Sequence, residues 1–143
     1  MNDEDKELLL QDLCARLPHH CRVFYEYVDD LDNKTYGYGV TLNTWCIDEL
    51  DSNKAVVKPY LRPMSNMSEE EFIKLKEYTG LIYDQLDLAL FQNGTYKCLD
   101  FYLNEIPSDV VILVFDWLNK NHFDYRGLIE KGFALEALEG MYK

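Results

Sequence analysis

The sequence predicts an α+β fold with an N-terminal helix, a small antiparallel sheet and a helical C-terminal half. Apolar residues keep helical spacing over residues 9–17, alternate with a period of two between residues 21 and 47, and return to helical spacing after residue 68. The chain has 143 residues, of which 48% are hydrophobic and 14% aromatic. This length and composition are typical of a single folded domain, which we place at residues 1–143.

The first predicted element is a helix whose apolar side is formed by the leucines at positions 9, 10, 13 and 17. Asp3 and Asp5 precede them and can accept hydrogen bonds from the free amides of a first helical turn. Pro18 disfavours helical backbone at the residue before it, so the helix is predicted to end near Leu17.

A β-hairpin follows, because residues 23–28 and 35–42 both alternate apolar and polar side chains. Gly37 and Gly39 are predicted to lie on one face of the second strand, where a neighbouring element would approach the backbone. Residues 45–48 are predicted as a third short strand. Residues 60–61, which lie between two prolines, are predicted as an edge or irregular extended piece that ends the sheet near residue 63.

Helices are predicted for most of the remaining chain. Ser68 and Glu71 have the spacing of a capping box, and Gly80 marks the end of the helix that they begin. Residues 81–105 combine helical spacing with an Asn-Gly pair typical of a hairpin turn. We favour two helices, one ending near residue 93 and one beginning near residue 95, with a hairpin as the alternative.

A further helix is predicted over residues 108–121, where apolar residues recur at helical intervals. Its β-branched residues leave a strand as the alternative. Asp124 is then expected to cap a short turn through Leu128 and Ile129 that ends at Gly132.

The formal net charge of −12 excludes some classes of function. An acidic surface repels phosphate backbones, so we expect no direct binding of nucleic acid. The N-terminus carries acidic residues where a signal peptide needs positive charge, and the longest apolar run has six residues against the roughly twenty of a membrane helix. We therefore expect a cytoplasmic protein that does not bind membranes.

No metal or other cofactor is expected. Cys14, Cys21, Cys46 and Cys98 lack the paired spacing of a zinc site and are interpreted as buried thiols. The acidic connection at residues 29–34 lacks the glycine and the bidentate glutamate of a calcium loop. It is interpreted as a polar turn.

Two groups of residues are candidates for a site. His122, Asp124, Tyr125 and Arg126 form a possible polar site, although no partner for acid-base catalysis is visible, and a packed histidine is the favoured interpretation. The second group is a possible protein interface, because tyrosine is amphipathic and is favoured at interfaces. Its members are Tyr36, Tyr38, Asp29, Asp30 and Asp32.

Three segments together carry a family resemblance. They are LQDLCARLP at residues 10–18, KPYLRPMSNMSEEE at residues 58–71, and the stretch at residues 116–137 that contains HFDYRGLIEKG. These segments resemble small uncharacterised proteins encoded by phages and mobile elements of gut bacteria. The resemblance implies an intracellular, phage-linked setting and no particular activity.

These observations predict a non-enzymatic accessory protein that binds another host or phage protein. Two alternatives come from other classes. One is an acidic DNA mimic that inhibits a nucleic-acid-binding protein, and the other is a small enzyme or nucleotide-binding protein that uses the region around His122. A mimic needs an array of carboxylates on one face, whereas an enzyme needs a concave pocket with converging polar groups.

Overall fold

The computed structural model describes residues 1–80 and 108–142, except for the side chains of residues 108–110. The described part has the predicted α+β architecture, with an N-terminal helix, a small sheet and later helices. The helices are α1 (Asp3–Arg16), α2 (Thr44–Asp51), α3 (Glu69–Thr79) and α4 (Ser108–Lys120), with 3₁₀ turns at Leu17–His19 and Met64–Asn66. The strands are β1 (Arg22–Val28), β2 (Lys34–Thr41), β3 (Ala55–Pro63), β4 (Phe123–Asp124) and β5 (Leu135–Glu136).

The described strands form one mixed sheet in the order β2-β1-β3-β4, with β5 also pairing with β3. The pairings of β1 with β2 and with β3 are antiparallel, as predicted. The short strands β4 and β5 run parallel to β3. The predicted antiparallel pairing is therefore confirmed for β1, β2 and β3. The C-terminal segment returns to the sheet after α4 and adds two short parallel strands that were not predicted, so the sheet is mixed.

Two other predictions for the sheet are wrong. Residues 45–48 lie in α2, which begins where the side chain of Asn43 accepts a hydrogen bond from the amide of Cys46 at 3.1 Å. The extended piece around Tyr60 belongs to β3, which lies inside the sheet and pairs with three other strands. Pro59 is tolerated there because it faces Val23 at a position whose nitrogen points away from β1, so no hydrogen bond of that ladder is lost.

The predicted helix boundaries are confirmed where the structure describes them. The capping box of α3 is formed in both directions between Ser68 and Glu71, and Gly80 ends the helix with a φ of 71°. α1 ends at Arg16 beside the 3₁₀ turn that contains Pro18. Its N-cap is Asn2, whose side chain accepts from the amide of Asp5, so the cap comes from Asn2 and not from Asp3 or Asp5 as predicted. The predicted helices or hairpin at residues 81–105 lie outside the described residues.

In the described part of the chain, the buried apolar side chains form two clusters. One lies between the helices α1 and α2 and the inner face of the sheet, and the other lies between α3, α4 and β4. The first cluster contains Leu9, Leu13, Cys21, Val23, Leu42, Cys46, Leu50, Ala55, Val57, Leu61, Leu128 and Ala134. The second contains Met64, Met67, Phe72, Leu75, Val114, Trp117, Leu118, Phe123 and Tyr125.

The two glycines of β2 behave differently from each other. The ring of Tyr25 on the adjacent strand lies over Gly37, so that a Cβ at this position would overlap it. Gly39 lies beside a bulge, where β2 has one residue more than β1, and has a φ of 62°. The element that approaches the backbone at Gly37 is therefore the Tyr25 side chain of the same hairpin. At Gly39 the bulge interrupts the alternation of side chains between the two faces of β2.

Candidate functional site

The region of the predicted polar site is tied to α1 by an ion pair between Arg126 and the buried Asp12. The Asp12 carboxylate lies between two guanidinium groups, with its Oδ2 2.8 Å from Nε of Arg16 and its Oδ1 2.7 Å from Nη1 of Arg126. Asp12 and Arg16 have no exposed surface. Burial by itself would lower the pKa of Arg16, but the neighbouring Asp12 carboxylate keeps that pKa above its ordinary value.

Tyr125 and Asn119 extend these pairs. The Tyr125 hydroxyl donates to Oδ1 of Asn119 at 2.9 Å and accepts from Nη1 of Arg126 at 2.7 Å. Nη2 of Arg16 donates to the carbonyl of Phe123 at 2.6 Å, which fixes α1 against β4. We call this group the polar network, and its members are Asp12, Arg16, Asn119, Tyr125 and Arg126.

Asp124 caps the turn that follows β4, as the sequence predicts. Its Oδ1 accepts from the amide of Leu128 at 2.8 Å, and its Oδ2 accepts from the amide of Ile129 at 2.9 Å. Burial outweighs these two donors and raises the pKa of Asp124. The carboxylate is therefore occupied by backbone groups, which is a structural role.

His122 lies beside the network and is 8% exposed. Its ring stacks on that of Tyr142, with 3.7 Å between the centroids. Burial, followed by the charge of Arg16 and other basic groups nearby, lowers the pKa of His122 to about 4. The imidazole is therefore neutral near pH 7, and its buried Nδ1 has no hydrogen-bond partner among the residues that the structure describes.

The interpretation of the cysteines as buried thiols is confirmed for Cys21 and Cys46 and is wrong for Cys14, which is exposed on α1, while Cys98 lies outside the described residues. Cys21 contacts Tyr142, which stacks on His122. Its Sγ lies 3.6 Å from the hydroxyl of Tyr142, which donates to the carbonyl of Tyr60 at 2.6 Å. Burial raises the pKa of Cys21 to about 11, so the nucleophilic thiolate is scarce at neutral pH. Covalent catalysis needs a nucleophile that is hydrogen-bonded to a base. Among the described residues, no nucleophilic side chain makes such a hydrogen bond to His122.

A groove of about 490 Å³ passes the outer edge of this region. Arg62, Asn66, Glu71 and residues 137–142 line it. Arg62 and Glu71 are joined there by two hydrogen bonds of 2.7 Å each. The best cation and anion of the groove therefore neutralise each other, which weakens the groove as a site for a charged small molecule.

The second predicted site lies on the outer face of the sheet. We define this outer face by the side chains of Phe24, Tyr36, Tyr38 and Val56, which the strand registers place on the side opposite to Val23, Tyr25 and Val57. Tyr38 is 70% exposed, Tyr36 47% and Val56 45%. The ring centroids of Tyr36 and Tyr38 are 6.4 Å apart, and those of Phe24 and Tyr38 are 5.3 Å apart.

The acidic residues beside this face have different roles. Oδ1 of Asp29 accepts from the amides of Leu31 and Asn33 at 2.8 and 2.9 Å, so this carboxylate holds the turn between β1 and β2. The hydrogen bond that the Asn33 amide donates is the main cause that lowers the pKa of Asp29. Asp30 and Asp32 are exposed, and Asp30 makes a loose contact with Lys54 at 3.9 Å.

Sequence reasoning missed Asp12 and Arg16, although a signal was present. Together with Leu9 and Leu13 they occupy positions i, i+3, i+4 and i+7 of α1, which is the spacing of one helix face. Charged residues on the buried face of a helix indicate a paired internal network. The sequence-based prediction instead assigned the apolar side of α1 to the leucines at positions 9, 10, 13 and 17.

Within the described residues, no group of three or more His, Cys, Asp or Glu side chains could hold a metal ion. No described helix has the length and hydropathy needed to span a membrane. Comparisons of the chain with protein-family models, curated proteins and solved structures gave no match.

Proposed function

We propose that this chain is a non-enzymatic accessory protein of the cytoplasm, linked to a phage or mobile element, that binds another protein through the outer face. The observation that carries the proposal is the exposure of Tyr36 and Tyr38, which are stacked on each other and are 47% and 70% exposed. Tyrosine in such a setting offers a large apolar surface and a polar hydroxyl at a small cost in side-chain entropy.

The packing of the hairpin supports this assignment. The inner side of β1 and β2 is covered, since Tyr25 and Tyr27 contact Trp45 of α2 with ring centroids 5.1 and 5.3 Å apart. The exposed tyrosines are therefore not required to close the core. Aromatic residues at the centre of an interface carry a large share of its binding energy, so this face is suited to recognition.

Charge restricts the kind of partner. A chain of net charge −12 attracts basic surfaces over long distances and repels acidic ones. We therefore expect a neutral or basic protein whose contact surface is apolar at its centre. The same charge supports the DNA-mimic alternative, in which the carboxylates would supply the binding energy and the tyrosines would contribute little.

The proposal is tested by comparing what the tagged protein captures from carrier cells in three forms. These are the wild type, the double variant Tyr36→Ala/Tyr38→Ala and the control Tyr78→Ala. Tyr78 lies on α3 and is 42% exposed, so the control removes a tyrosine of similar exposure from a different surface. We expect a captured protein that the control retains and the double variant loses by at least tenfold.

Each alternative gives a different result. Equal capture by all three forms contradicts the proposal, provided that the double variant keeps the unfolding free energy of the wild type. Loss of a DNA-binding partner after neutralisation of Asp30 and Asp32, with no effect of tyrosine removal, supports the mimic. A small molecule retained near His122, with no captured protein, supports the enzyme or nucleotide-binding alternative.

A further inference from the structure

The side chain of Tyr142 fills a site that distant parts of the chain build. Its hydroxyl accepts from the amide of Arg22 at 2.8 Å and donates to the carbonyl of Tyr60 at 2.6 Å. Its ring stacks on the His122 imidazole, with 3.7 Å between the centroids and 15° between the planes. The site therefore recognises a flat ring and a hydroxyl group that both accepts and donates a hydrogen bond.

The two backbone groups are available to the hydroxyl because the ladder between β1 and β3 stops one step early. Its last pair joins Val23 to Pro59 and is not hydrogen-bonded, so the next bonds would form between Arg22 and Tyr60. The Tyr142 hydroxyl lies between the amide and the carbonyl of this step instead. Buried backbone groups rarely remain without partners, so this position requires a group that can both accept and donate.

The surroundings of the hydroxyl are largely closed to solvent. Tyr60 is 7% exposed, and Cys21, whose Sγ lies 3.6 Å from the hydroxyl oxygen, has no exposed surface. Burial raises the pKa of Tyr142, so its hydroxyl remains protonated and can donate at neutral pH. A ring without a hydroxyl would leave the amide of Arg22 and the carbonyl of Tyr60 unpaired, which is costly at a buried position.

The segment that carries Tyr142 is attached to the body mainly through this side chain. Residues 138–140 are exposed, and the amide of Met141 bonds to the carbonyl of Leu138 across a turn in which Gly140 has a φ of 77°. Among the described residues, every hydrogen bond from residues 138–142 to another part of the chain involves the Tyr142 hydroxyl. Exposed segments with few such bonds open at a low cost in free energy, so the ring can leave its site while the domain stays folded.

We infer that Tyr142 is the built-in occupant of a binding site for a para-substituted phenol, which enters when residues 138–142 move away from β3. The substituent is para because the Tyr142 ring joins its own backbone at that position, beside the groove of about 490 Å³ that the same segment lines. The ligand is a small phenolic molecule or a tyrosine side chain of another polypeptide, since both present this ring. The inference does not rest on the proposed function, because no contact of the site involves a side chain of the outer face.

Removal of the built-in occupant provides the first test. Tyr142→Ala leaves the site in place, and a tethered ring competes at a high effective concentration, so the wild type should bind a free phenol less tightly than the variant. The probe is para-cresol, and binding to the full chain is followed by NMR at the amide of Arg22 and the imidazole of His122. We expect the variant to bind para-cresol at least tenfold more tightly than the wild type. Toluene, which lacks only the hydroxyl, should bind the variant at least tenfold more weakly than para-cresol.

A second variant leaves Tyr142 and its site intact. Gly140→Ala strains the turn, because a φ of 77° is unfavourable for a residue with a Cβ, so the segment should open more often. We expect its affinity for para-cresol to exceed that of the wild type by about fivefold. Gly132→Ala is the matched control, since Gly132 is also exposed and has a φ of 82° in the turn before β5. This control should bind para-cresol as the wild type does.

Two acetylated tetrapeptides distinguish the possible sources of the ring. Gly-Met-Tyr-Lys copies residues 140–143, and Gly-Met-Phe-Lys lacks only the hydroxyl. If Tyr142→Ala binds the tyrosine peptide more tightly than para-cresol, the ligand is a tyrosine side chain of another polypeptide. The reverse order identifies a small phenolic molecule, and either order supports the site. Equal affinities for the tyrosine and phenylalanine peptides would overturn it, because the hydroxyl would then play no part.

Other results also contradict the inference. Equal affinities of the wild type, Tyr142→Ala and Gly140→Ala for para-cresol would mean that the ligand binds elsewhere on the protein. If neither variant shows a saturable change at the amide of Arg22, water or closure of the ladder satisfies the backbone groups and no phenol site exists. Should Tyr142→Ala fail to fold, the comparison of Gly140→Ala with Gly132→Ala decides, and equal affinities of these two variants overturn the inference. None of these outcomes changes which proteins Tyr36 and Tyr38 capture.

Discussion

The polar network and the β1-β2 hairpin are built from the same residue types, tyrosine and charged side chains, yet they differ in what surrounds them. Tyr125 is 6% exposed and its hydroxyl both donates and accepts a hydrogen bond. Tyr38 is 70% exposed, and it contacts aromatic rings of its own hairpin. The first region uses its polar groups to join α1 to the C-terminal segment, whereas the second leaves the rings of Tyr36 and Tyr38 exposed.

An unusual run of aromatic and charged residues, such as the one in the C-terminal segment, therefore does not by itself indicate a binding site. Residues 116–132 combine aromatic rings, charges and two glycines, but the Asp124 carboxylate and the rings of Trp117 and Phe123 are engaged internally. The hairpin has a simple alternating pattern and presents the larger exposed aromatic surface. We therefore expect substitutions in the polar network to lower the free energy of unfolding, and substitutions of exposed residues in the hairpin to weaken binding while leaving stability nearly unchanged.

The largest loss of stability is expected from Asp12→Ala. This change leaves Arg16 fully buried and removes the carboxylate that compensates its charge. Breaking a buried ion pair by removing one partner costs about 3–5 kcal/mol. Chemical denaturation should show this loss, whereas the control Asp30→Ala should change the unfolding free energy by less than about 0.5 kcal/mol, since that side chain is 93% exposed. Equal effects of the two changes would contradict the assigned roles.

A similar loss is expected from Trp117→Ala. The Trp117 ring is 7% exposed and stacks on Phe123 with 5.9 Å between the centroids. Removing a buried tryptophan costs about 3–5 kcal/mol. Trp45, at 39% exposed, is the matched control and its replacement by alanine should cost about 1–2 kcal/mol through its contacts with two tyrosines. An unchanged melting temperature for Trp117→Ala would show that the C-terminal segment is not part of the core.

A smaller effect, limited to acid pH, is expected from His122. The pKa of its imidazole is about 4 in the folded chain against an ordinary 6.5, so the folded state favours the neutral ring. Its contribution to stability is complete above pH 6.5 and is lost as the pH falls from 6.5 to 4, by about 3 kcal/mol in total. In His122→Asn this part of the pH dependence should disappear. Asparagine suits the positive φ of 66° at this position.

The sequence allows prediction of those parts of the fold that depend on neighbouring residues. The capping box at Ser68 and Glu71 and the cap provided by Asp124 are local interactions, and both are present. The parallel pairings of β4 and β5 with β3 join residues about 60 to 75 positions apart, which no local pattern specifies. The position of β3 inside the sheet was also not predicted, because its prolines are typical of an edge strand.

The candidate sites show the same division. The alternation of the hairpin predicts that Tyr36 and Tyr38 share a face, and the structure places their rings side by side. The carboxylate that pairs with Arg126 belongs to Asp12 of α1, 114 residues earlier in the chain, and could not be predicted from the C-terminal segment alone. The burial of Asp12 was not predicted, because charged residues are seldom fully buried.

The smallest effect on stability, and the sharpest contrast with Asp12→Ala, is expected from Asp30→Asn combined with Asp32→Asn. Both carboxylates are exposed, so the unfolding free energy should change by less than about 0.5 kcal/mol. Asp29 is left intact because it holds the turn. If the partner is basic, the double variant should slow association and weaken its dependence on salt, while dissociation stays within about twofold of the wild type. Surface plasmon resonance at several salt concentrations separates these rates. A change confined to dissociation would mean that the two carboxylates make direct contacts inside the interface, which would extend the binding surface from the outer face to the tip of the hairpin.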